Sequence, residues 1–67
     1  MKTIYRIDLF LTEANEPVKL YFNNLDKALE FFDVTLLNAQ NVIGLSLYKR
    51  ISNFKYKFMG GRDGAAS

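Results

Sequence analysis

A chain of 67 residues makes one domain of a size that buries only about 60% of its unfolded surface, so it folds with little margin. With no cysteine and no histidine it lacks a disulfide framework, a thiolate site, the commonest metal ligand and the commonest general base. An apolar share of 49%, with six Phe and four Tyr, excludes disorder, and the net charge of +2 is unevenly held. Residues 1–47 carry four bases (Lys2, Arg6, Lys19, Lys27) against six acids (Asp8, Glu13, Glu16, Asp26, Glu30, Asp33). Tyr48 to Arg62 carries five bases (Lys49, Arg50, Lys55, Lys57, Arg62) and no acid. Such polarity bears on partners rather than on fold.

Charges interrupt the apolar run of the N-terminus every two residues, so neither a secretory core nor a membrane span is expected, and the protein is read as cytoplasmic with no membrane partner. Residues 3–12 alternate with period two, placing Tyr5, Ile7, Leu9 and Leu11 on one face, which predicts a strand. The polar stretch 12–17 ends in Pro17, which cannot donate to a sheet ladder and therefore suits the approach to an edge strand. Val18, Leu20 and Phe22 then alternate in a second strand. Pairing Leu11 with Val18, Leu9 with Leu20 and Ile7 with Phe22 keeps both apolar sets on one side.

Asn23 and Asn24 offer an N-cap for a helix over 25–39. Its core stripe is Leu25, Ala28, Leu29, Phe32, Leu36 and Ala39, with Asp26 suiting the positive end and Val34 and Thr35 weakening the middle. A third strand over 42–52 sets Ile43, Leu45, Leu47 and Ile51 toward the core. A Ser52-Asn53 turn leads to a fourth strand over 54–59, pairing Ile51 with Phe54 and Leu47 with Phe58 and so burying Phe54, Tyr56 and Phe58. Asn53 tolerates the left-handed backbone that such a turn needs. The fold expected is α+β, a ββαββ two-layer sandwich in which one helix lies on one face of a four-stranded antiparallel sheet of order 2-1-3-4. Residues 1–59 form the single domain and 60–67 a frayed tail.

No catalytic constellation emerges. Glu13 and Glu16 fall in a loop, Glu30 and Asp33 lie off the helix stripe, Ser46 has no base to activate it, and Gly60, Gly61 and Gly64 precede no helix that would make a phosphate loop. The chain is therefore read as a non-enzyme with no cofactor, no metal and no small-molecule substrate. Two patches remain. Phe31, Val34 and Leu37 recur at i, i+3 and i+6 off the core stripe and mark a protein interface, with a second copy of the chain among the candidate partners. Arg6, Lys19, Tyr21, Tyr48, Arg50, Lys55 and Lys57, with Phe10 beside them, make a basic and aromatic sheet face that suits nucleic acid. On the expected register Arg50 opposes Lys55, a like-charge pair that an anionic partner would offset. Lys49, on the core parity, lays its stem on apolar surface. The protein-interaction reading comes first: an adaptor, regulator or inhibitor of the kind that phages and other mobile elements carry as accessory factors. Nucleic-acid binding is the alternative.

Overall fold

The computed structural model describes residues 3–38 and 40–63. Strands β1 (Tyr5–Leu11) and β2 (Val18–Phe22), helix α1 (Leu25–Asn38), and strands β3 (Val42–Ser52) and β4 (Lys55–Asp63) follow in that order. All neighbours in the open sheet are antiparallel and the strand order is β2-β1-β3-β4, with α1 on one face, the expected two-layer α+β arrangement. The cap forms at Asn24: its Oδ1 accepts from the Lys27 N–H at 3.2 Å and its carbonyl from the Ala28 N–H at 3.1 Å. Val34 and Thr35 do not break the helix, and Asn38 closes it by donating its side-chain N–H to the Val34 carbonyl at 2.9 Å. Ala39, placed in the core stripe, lies outside the described residues. No described helix is long and apolar enough to cross a membrane.

The registers depart from expectation in two different ways. Between β1 and β2 the slip is two residues, Leu9 facing Val18, Ile7 facing Leu20 and Tyr5 facing Phe22. An even slip preserves the side of every residue, so the apolar face survives. Between β3 and β4 the slip is odd. The turn is Asn53-Phe54 rather than Ser52-Asn53, Ser52 pairs with Lys55, Arg50 with Tyr56 and Tyr48 with Phe58. Tyr56 and Phe58 consequently lie on the face away from the helix and not in the core, and Phe54, at the turn, is 95% exposed. The left-handed Asn53 is not required, since no described non-glycine residue has positive φ.

Bulges absorb the difference. Ile51 is the extra residue of β3 beside the turn, and Met59 the extra residue of β4 between the Tyr48–Phe58 and Leu47–Gly60 pairs. A third bulge, at Ile43, lets Leu11 face Val42 and Phe10 face Gly44. It turns Val42 into the core at 1% exposure and Ile43 outward, the reverse of the alternation expected for this stretch. Met59 and its bulge also carry β4 on to Asp63, so the first four residues of the expected tail are strand; 64–67 lie outside the described residues.

The core is Ile7, Ala28, Phe32, Val42, Leu45 and Leu47, with Tyr5, Leu9, Leu11, Phe22, Leu25, Phe31 and Leu36 packed around it. The buried arc of α1 is rotated from the expected stripe toward Phe31, whose ring sits 5.5 Å from that of Phe22, while Leu29 is left exposed. The cause is position. The helix rests on β1, β2 and β3 and leaves the helix side of β4 largely bare, so its Phe31 side leans on β2 and its Leu29 side overhangs a gap.

Candidate functional site

The helix-free face of the sheet is ordered by two rows that cross all four strands. Tyr21, Arg6, Tyr48 and Phe58 are successive partners in one; Lys19, Asp8, Ser46 and Gly61 in the next. Alternation dictates this arrangement, because Arg6 and Asp8 flank the buried Ile7 on β1 and must point the other way. Asp8 is only 6% exposed although it lies on the face without a helix. Its cover comes from side chains: Arg6 Nε approaches Asp8 Oδ1 at 2.9 Å, and Arg6 donates from Nη2 to Oδ2 at 3.3 Å. The shorter contact is an attraction of charges whose angle falls outside hydrogen-bond alignment. The guanidinium lies 4.4 Å from the Tyr48 ring centre and 4.5 Å from that of Tyr56, a double cation–π contact. Phe58 meets Tyr48 edge-on at 5.6 Å.

Arg6 is thereby spent inside the protein. Its charge is matched by Asp8 and its donors face a carboxylate, while the aromatic groups stacked around it still present their outer edges to water. Phe58 is 57% exposed, and Tyr21, Phe10 and Ile43 are also exposed. Beside them lies a shallow trough of about 650 Å³ lined by Phe10, Ile43, Gly44, Ser46, Phe58 and Gly61. Its floor is low because two glycines form it. A Cβ on Gly61 would come within 3.0 Å of the Leu45 carbonyl oxygen, and one on Gly44 within 3.2 Å of the Arg62 carbonyl oxygen.

The basic and aromatic set read from the sequence is only partly brought together. Arg6, Lys19, Tyr21, Tyr48 and Arg50 share the open face, but the odd register sends Lys55 and Lys57 to the helix side, where Lys57 faces Lys49. The like-charge pair is therefore Lys49 with Lys57 and not Arg50 with Lys55. Of the helical set, Phe31 is packed on Phe22 and does not join a patch with Val34 and Leu37, which are exposed. Tyr56, Phe58, Ile43 and Gly61 were missed on the open face, where Gly44 was expected. Only the short separation of Tyr56 and Phe58 from Tyr48 in a one-turn hairpin pointed to them, and that signal depends on a turn that shifts by one residue. Among the described residues no group of three His, Cys, Asp or Glu side chains is placed to hold a metal ion. The chain matches no protein-family model, no curated protein and no solved structure.

Proposed function

We propose that the chain is a non-enzymatic interaction module, an adaptor, regulator or inhibitor that binds a protein partner through the helix-free face of its sheet. The observation that carries this reading is the exposed group of Phe10, Ile43 and Phe58 around a trough floored by glycine, on a face where the one ion pair among the described residues is already neutral. Contiguous apolar surface of this kind, rimmed by polar groups, is what protein interfaces use, and Tyr and Phe give large contact area at low entropic cost. The trough would take an apolar or aromatic side chain of the partner, with Arg62 the base in its lining.

The same geometry supports nucleic-acid binding less well. Stacking platforms need flanking cations to follow the phosphates, and among the described residues this face carries two outside an ion pair, Lys19 and Arg50, beside Asp8. The test is affinity capture from the protein's own source with wild type, Phe58→Asp and Glu16→Ala. A protein held by wild type and by Glu16→Ala and lost with Phe58→Asp is the expected result. Tight binding of a single-stranded oligonucleotide that falls steeply with salt and weakens in Arg50→Ala would replace this reading with the other.

A further inference from the structure

A second surface lies on the opposite side of the molecule. Because α1 does not reach β4, a groove of about 340 Å³ opens between them, lined by Leu29, Phe32, Leu36, Leu47, Met59 and Gly60, with Asp33 and Arg62 at its mouth. The helix side of β4 is thus a strip of sheet without the second layer that a sheet's apolar face ordinarily requires. The outward side of α1 has the converse problem. Val34 and Leu37 project from it, Leu37 at 84% exposure, interspersed with Asp26, Glu30 and Asp33.

We infer that a second copy of this chain supplies the missing layer, the two copies packing helix side to helix side about a two-fold axis parallel to α1, so that each helix covers the other copy's β4. The two helices then form one layer between two sheets. Leu29 and Leu36 meet their counterparts at the seam between helices, and Val34 and Leu37 lie toward the Arg62 end of the other copy's β4.

Charge placement selects a second copy as the occupant. The bases on the helix side of the β3–β4 hairpin are Lys49, Lys55, Lys57 and Arg62, and the acids on α1 are Asp26, Glu30 and Asp33 against a single Lys27. Among the described residues the only ion pair is Arg6 with Asp8, so no pair joins these two opposite sets there, although Asp33 and Arg62 line the same groove. Their order along the elements also matches. The helix begins just after Phe22, which faces Tyr5, which faces Lys49, which faces Lys57; its later turns lie over the row that ends in Leu45 and Arg62. A two-fold axis along the helix preserves this direction, bringing Asp26 and Glu30 to the second copy's Lys57 and Asp33 to its Arg62. An isologous interface makes each of these contacts twice. Any antiparallel arrangement of the two helices would reverse the order and set Asp26 toward Arg62.

Sedimentation equilibrium on the full chain tests this. Wild type is expected at twice the 7.7 kDa chain mass, with Leu37→Asp shifting the population to monomer while circular dichroism stays unchanged. Arg62→Asp and Asp33→Arg should each weaken association by about tenfold or more, and the double variant carrying both should restore it, since a charge swap recreates the pairs. Phe58→Asp, on the other face, should leave dimerisation intact even where it abolishes partner capture, so the two readings fail separately. A chain that remains monomeric up to about millimolar concentration, a dimer indifferent to Leu37→Asp, or a double variant no better than its parents would overturn the inference.

Discussion

Arg6 and Asp8 form a small polar centre on the side of the sheet that has no helix, and the cost of disturbing it follows from what each would leave behind. Asp8→Ala strands a guanidinium beneath the Tyr48 and Tyr56 rings, and should destabilise the fold by about 2–3 kcal/mol in urea unfolding, less than for a fully buried pair because part of Arg6 remains wetted. Replacing both together, Arg6→Met with Asp8→Leu, should recover most of that loss, since neither charge is then left alone. Arg6→Lys should not behave as a conservative change, because an ammonium cannot lie flat between two rings and pair with a carboxylate edge. The two glycines of β4 give a sharper contrast. Gly61→Ala drives a Cβ to 3.0 Å from a backbone oxygen and should cost about 1–3 kcal/mol, whereas Gly60→Ala meets no heavy atom within 4 Å and should be neutral or stabilising by up to about 1 kcal/mol. Paired thermal melts of the two variants decide it.

At the scale of elements, the helix and the first hairpin could be read from the chain because their signals are redundant. Asn24, the stripe around Ala28 and Phe32, and the alternation of β1 each point the same way, and an even slip of β2 leaves every face unchanged. Asn24→Ala should accordingly cost about 1 kcal/mol, measured by chemical denaturation, with loss of the bond to the Lys27 N–H. The second hairpin was not legible for the same reason in reverse. Its strands alternate, with Ile43, Leu45, Leu47 and Ile51 at odd positions of β3 and Tyr56 and Phe58 at even positions of β4, and nothing in Ser52, Asn53 or Phe54 forces the turn to one place. Moving it by a single residue exchanges the faces of Tyr56 and Phe58, and the bulges at Ile51 and Met59 that accommodate this leave no mark in hydrophobic pattern. The candidate site inherits that history: the part on β1 and β2, with Gly44, Ser46, Tyr48 and Arg50 of β3, was visible in the residues, and Ile43 and the part on β4 were not. A polar replacement at Phe54 should leave stability within about 0.5 kcal/mol, because the ring contributes almost nothing to packing where it stands.

The whole molecule is a sheet with two unequal faces and a helix too narrow to cover one of them. Its charge polarity, so evident along the chain, is divided in three dimensions: Arg6 is neutralised inside the open face, Lys19 and Arg50 remain at its rim, and the other hairpin bases turn to the helix side opposite an acidic α1. What looked like one basic patch is therefore two surfaces, an aromatic one, proposed to meet a protein partner, and a basic strip, proposed to meet the acids of a second copy's helix. Everything in that division rests on which way β4 presents its rings. The nuclear Overhauser contacts of the Phe58 ring measure this directly: the account predicts contacts with Tyr48 and Ser46 and none with α1, and contacts between Phe58 and Phe32 or Leu36 would contradict it.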